Sequence, residues 1–93
     1  MAVGGRAQDA NSGSITGEVI ETWNNTPLPN VIVTVRGTTL ATKTDGEGSF
    51  IIKNVPAGQY TIVYSRSGYD RTTIPDVRVL VGQKTGANAR LAP

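Results

Sequence analysis

The stretch that decides the fold is PLPNVIVTVRG at Pro27–Gly37, followed by TKTDGEGSFIIKNVPAGQYTIVYSRSGY at Thr42–Tyr69. Val31, Val33 and Val35 alternate with Ile32, Thr34 and Arg36, and Phe50 and Ile52 alternate with Ile51 and Lys53. Tyr60, Ile62 and Tyr64 alternate in the same way with Thr61, Val63 and Ser65. A period of two sends every second side chain to one face of an extended chain, so each segment reads as a half-buried β-strand. The breaks between them are turn signals. Asp45-Gly46-Glu47-Gly48 predicts a tight hairpin, and Asn54 to Gly58 predicts a second turn in which Pro56 is constrained and Gly58 permissive.

The same pattern extends outward. Ser14 to Glu21 puts Ile15, Gly17 and Val19 on one face and Thr16, Glu18 and Ile20 on the other, and the loop Thr22 to Asn30 follows, with Asn24-Asn25 favouring a turn. Thr38 to Thr44 is threonine-rich with few large apolar side chains, which predicts an edge strand guarded by Lys43. After Gly68-Tyr69 a short connection or strand reaches Ile74, where Pro75 is expected to stop it. Val77, Val79 and Val81 mark the next strand, Gly82-Gln83 a turn, and Thr85 to Leu91 the last strand. Helical apolar spacing is nowhere sustained over three turns. The expectation is an all-β, seven- to eight-stranded antiparallel Greek-key β-sandwich over residues 14–93. Residues 1–13, rich in small and polar residues and without an apolar run, read as a flexible leader.

Composition narrows the chemistry. A chain of 93 residues, 38% hydrophobic, suits one two-sheet domain and little else. It contains no cysteine and no histidine, which excludes disulfides, thiolate or imidazole metal ligands, cysteine nucleophiles and any His–Asp relay. The net charge of +2 and 5% aromatics carry no basic, stacking-rich stripe, so nucleic acid is not an expected partner. Glu18 and Glu21 are an odd number of residues apart on one strand and point to opposite faces, so they do not converge as a hydrolytic pair. No catalytic residue, cofactor or metal is expected. Asp45-Gly46-Glu47-Gly48-Ser49 has oxygen side chains at alternate positions, loosely like the start of a calcium loop. It lacks the downstream carboxylate, and the structural turn is the favoured reading.

The remaining candidates concern binding. Trp23 lies in a loop, where an exposed indole is a partner anchor and a buried one caps the open end of the sandwich. Tyr69 follows Gly68 and serves either a partner or packing, with its hydroxyl on a backbone group. Thr38, Thr42 and Lys43 mark an edge to which a protein partner can add a strand. Arg66, Arg71, Arg78 and Arg90 form either a basic patch or a solvated face.

Several of these elements recur together in one known family. They are Ile15-x-Gly17-x-Val19, Pro27-Leu28-Pro29-Asn30-Val31, Thr44-Asp45-x-x-Gly48-x-Phe50, Val55-Pro56-x-Gly58-x-Tyr60, Gly68-Tyr69 and Gly82-Gln83. In this order they resemble the carboxypeptidase regulatory-like domain, over about Ser14 to Pro93. The resemblance implies a transthyretin-like, Ig-like sandwich and a non-catalytic accessory role in secreted or cell-envelope proteins. Three settings follow from it: the periplasmic N-terminal extension of TonB-dependent outer-membrane receptors, surface adhesins or secreted hydrolases that bind carbohydrate or matrix, and metallocarboxypeptidases. The run from Ile74 to Pro93 is most similar to the first setting. A protein partner or neighbouring domain is then expected, carbohydrate is the alternative, and direct membrane insertion is not. Hydroxyisourate hydrolases and intradiol dioxygenases resemble this type of sandwich but depend on histidine. Adhesin domains with internal isopeptide bonds use a first-strand lysine, which Ser14 to Glu21 lacks.

Overall fold

The computed structural model describes residues 11–93, and the leader reading of residues 1–10 lies outside them. Eight strands follow one another: β1 (Ser12–Glu21), β2 (Ile32–Val35), β3 (Ala41–Lys43), β4 (Ser49–Pro56), β5 (Gly58–Ser65), β6 (Thr72–Val79), β7 (Lys84–Gly86) and β8 (Ala89–Leu91). One sheet has the order β4-β1-β7, with β8 also on β1, and the other has the order β3-β2-β5-β6. The inward side chains of both sheets meet in one core of Ile15, Val19, Val31, Val33, Val35, Phe50, Ile52, Val55, Ile62, Tyr64, Val77, Val79 and Leu91, among others. Tyr60, which the alternation assigns to the core, is half-buried rather than buried, and its hydroxyl donates to the Pro56 carbonyl at 2.6 Å.

Several local expectations need correction. β1 begins at Ser12, so Ser12 and Gly13 belong to the sandwich. The strand expected over Thr38 to Thr44 shrinks to Ala41–Lys43, although it does lie at a sheet edge. The Asp45–Gly48 turn is not a hairpin. β3 and β4 belong to different sheets, so it is a corner that carries the chain across the sandwich. Gly48 has φ 75° there, and a Cβ on it would meet the Val19 carbonyl oxygen at 2.6 Å. Gly46 stands in open space and is not among the positive-φ residues.

Pro75 does not end a strand. β6 runs through it, because the strand is at an edge and the extra residue is absorbed by a bulge in which Asp76 takes φ 60°. Val81 falls outside the strand and is exposed. The antiparallel expectation fails for one strand position. β7 and β8 both run parallel to β1 in one register, with Ser14 beside Lys84 and Val19 beside Ala89. They are one strand interrupted at Ala87–Asn88, where the Asn88 side chain replaces the backbone by accepting from Glu18 N–H at 2.9 Å. The Ala87 carbonyl accepts the Tyr64 hydroxyl at 2.5 Å, and a Cβ on Gly17 would lie 2.5 Å from that same oxygen.

Candidate functional site

Because β1 and β8 run parallel, both finish at the same end of the sandwich. The loop after β1 is held there without help from its tryptophan. Glu21 N–H donates to Thr26 O at 2.8 Å, Asn25 N–H to Glu21 O at 2.9 Å and Thr22 N–H to Leu91 O at 3.0 Å. Arg90 Nη1 donates to Asn25 Oδ1 at 3.1 Å, and Asn25 itself adopts φ 56°. Trp23 stands out from this loop with 74% of its surface exposed, so it does not cap the sandwich. On the other side of β8, the β5–β6 connection is tied to the same strand end, with Asp70 N–H donating to Ala92 O at 2.8 Å. Tyr69 in that connection packs partly against the core, and the Arg66 guanidinium sits 5.3 Å from its ring centroid.

The structure therefore brings the Trp23 and Tyr69 loops to one pole, on either side of the end of β8. It does not bring the other candidates there. Thr38 lies beyond the far end of β2, where its hydroxyl closes a turn by donating to Val35 O at 2.8 Å and accepting from Leu40 N–H at 3.0 Å. Thr42 and Lys43 line a shallow groove with Asp45, Ser49, Phe50 and Ile51 between the β3 and β4 edges. Of the four arginines, Arg66 and Arg90 are at the Trp23 pole, next to Arg71. Arg78 pairs with Gln59 at the start of β5, near the opposite end, so the four are not one patch.

Glu18 and Glu21 diverge as their spacing requires. Glu18 lines an outer groove of about 510 Å³ with Ile20, Thr72, Ile74, Asn88, Ala89 and Arg90. Glu21 has its Oε1 buried with no hydrogen-bond donor among the described residues. Such an acceptor costs about 1–3 kcal/mol. Sequence reasoning missed both this oxygen and the groove, because each depends on how β1 sits against β8.

The Asp45 carboxylate is already engaged. Its Oδ1 accepts from Glu47 N–H and Ser49 N–H, both at 2.9 Å, which makes it the staple of the inter-sheet corner. Among the described residues no three acidic side chains gather where they could hold a metal ion. Among the described residues no helix is long and apolar enough to cross a membrane.

A family model for the carboxypeptidase regulatory-like domain matches residues 14–92. The chain belongs to that family. That family is an accessory rather than a catalytic one, and the match covers every strand from most of β1 onward. The chain is also 38% identical over 69 residues to a TonB-dependent receptor, P39, from Formosa agariphila. That stretch is 74% of this chain and 6% of the receptor, so the domain spans a small fraction of the relative it matches.

Solved structures share the fold at lower identity. A chain of a type II cohesin–X-dockerin complex from Acetivibrio cellulolyticus superposes with a TM-score of 0.73 at 23% identity, over 85% of this chain and 56% of that one. The 5-hydroxyisourate hydrolase of Klebsiella pneumoniae superposes with a TM-score of 0.60 at 18% identity, over 87% of this chain and 90% of that one. Both confirm the two-sheet sandwich and speak only to fold.

Proposed function

We propose that this regulatory-like domain is a non-catalytic accessory module of a TonB-dependent outer-membrane receptor, held on the periplasmic side as an N-terminal extension. Its role is spacing and protein contact. The observation that carries the reading is the 38% identity over 69 residues to such a receptor. The chemistry agrees, since the chain has no histidine or cysteine and its Glu18 and Glu21 diverge. The contact surface is the pole bearing Trp23 and Tyr69. The β3 edge, with Thr42 and Lys43 on it, is a second and smaller one.

Protease treatment of cells tests the location. A tag in the domain should survive protease in intact cells and be lost once the outer membrane is permeabilised. Digestion in intact cells overturns the periplasmic placement. It would favour the second reading, a surface module that binds carbohydrate through the exposed Trp23 and the neighbouring groove, where Glu18, Asn88 and Arg90 supply polar groups over Ile20 and Ile74.

A further inference from the structure

The hydrogen bonds that hold the Trp23 loop do not involve its indole. Three backbone bonds and the Arg90–Asn25 clamp fix the loop, while the largest apolar side chain of the domain remains 74% exposed. An exposed tryptophan on a loop whose backbone is already bonded can anchor a partner with little ordering cost. The covering partner is indicated by the direction of β8. This strand ends between the two loops, with Leu91 O bonded to Thr22 N–H and Ala92 O bonded to Asp70 N–H. In a receptor, any polypeptide continuing past Pro93 emerges beside Trp23 on one side and Tyr69 on the other.

We propose that the pole formed by Trp23, Asn25, Arg66, Tyr69 and Arg90 docks the segment of the receptor polypeptide that directly follows this domain, with the Trp23 indole as the anchor. This inference rests on the receptor reading above. The physical reason to choose a tethered occupant is effective concentration. A segment attached a few residues away is present at about millimolar concentration, so one aromatic anchor burying about 150–250 Å² suffices where a free partner would need a full interface. The ring face of Trp23 takes an apolar or proline side chain, and the indole N–H takes a carbonyl. Arg66 and Arg90, which have no carboxylate bonded to them among the described residues, suit an acidic residue in the docked segment. The docked segment thereby fixes the angle between the domain and the rest of the receptor.

Thiol labelling in the full-length receptor tests this, with each site read by peptide mass spectrometry so that other cysteines do not interfere. W23C and N24C report on the pole, and K84C, at the exposed start of β7, reports on the opposite end. The expected result is that position 24, in a variant that keeps the indole, labels about tenfold or more slowly than position 84 in the native receptor, and equally once it is denatured. W23C removes the anchor, so position 23 should label about as fast as position 84, and protection at 23 would overturn the indole's role as anchor. Labelling of N24C as fast as K84C in the native receptor overturns the proposal and leaves the pole free for an external ligand. The receptor reading fails separately, through digestion of the tagged domain in intact cells.

Discussion

Tyr64 shows how much one side chain carries here. It is fully buried, packs edge-on against Phe50 at 6.0 Å between centroids, and donates its hydroxyl across the sandwich to the Ala87 carbonyl. That contact fastens one sheet to the other at the break between β7 and β8. Tyr64→Phe should cost about 1–3 kcal/mol, because the Ala87 oxygen is left buried without a donor; chemical denaturation measures it. Burial pushes the Tyr64 phenol well above the ordinary tyrosine range. An acid whose pKa is raised by folding contributes stability below its unfolded value that is lost above it. The domain should therefore lose about 1.4 kcal/mol per pH unit from this group as pH rises past about 10, the unfolded value. Tyr64→Phe removes that contribution, and an unchanged alkaline slope in the variant would refute it. Ile62, also fully buried, should cost about 2–5 kcal/mol on truncation to alanine, a large share of a small domain's stability. Amide exchange on β5 no slower than at the chain terminus would contradict its central place.

At the level of elements, the inter-sheet corner at Asp45–Gly48 depends on two residues with different tasks. Asp45 satisfies two backbone donors, and Gly48 supplies a left-handed backbone where the chain passes against Val19. Gly48→Ala should cost about 1–3 kcal/mol from backbone conformation alone, with a further steric part from the Val19 oxygen. Gly46→Ala, in open space, should be close to neutral; thermal unfolding of the two variants separates these outcomes. The same corner shows what the sequence makes legible. The alternation of Val31–Val35, Phe50–Ile52 and Tyr60–Tyr64 reports local burial, so strands and core could be read directly. Which sheet a strand joins depends on contacts distant in sequence, and an Asp-Gly turn reads alike in a hairpin and in a corner. Parallel pairing of β1 with β7 and β8 is hidden for the same reason. Pro75 misled because its effect depends on whether β6 is central or at an edge. At the site, Trp23 and Tyr69 were each visible as unusual loop aromatics. Their shared pole follows only from the parallel course of β1 and β8.

For the whole molecule, the free edges of the two sheets decide what it does in a crowded compartment. β3 offers only Ala41–Lys43, ending in a lysine. β4 is longer, but Val19 N–H bonds to Gly48 O, so by antiparallel alternation the outward-facing backbone groups fall at Ser49, Ile51 and Lys53. Ser49 is already bonded through both its N–H and its C=O to Asp45, and Asn54 at φ 59° bulges the strand just beyond Lys53. On the other side, β8 is bonded through Arg90 O to the Thr72 hydroxyl at 3.3 Å, and the outer edge of β6, though the strand is continuous, lacks a donor at Pro75 and is bent by the Asp76 bulge. Each edge is thus blunted by its own device, which limits strand addition at β3 to very few main-chain bonds and favours contacts through the pole. The domain should sediment as a monomer at the highest concentrations reached. Removing the β6 device tests the argument: Pro75→Val combined with deletion of Asp76 restores a regular seven-residue register opposite Gly58 to Tyr64 of β5 and leaves a flat, valine-rich edge. That variant should self-associate with rising concentration while keeping its amide dispersion, and Pro75→Val alone, which keeps the bulge, should do so more weakly. A folded double variant that stays monomeric would show that the bulge does not guard this edge, and would return edge pairing at β3 to consideration as the main route to a partner.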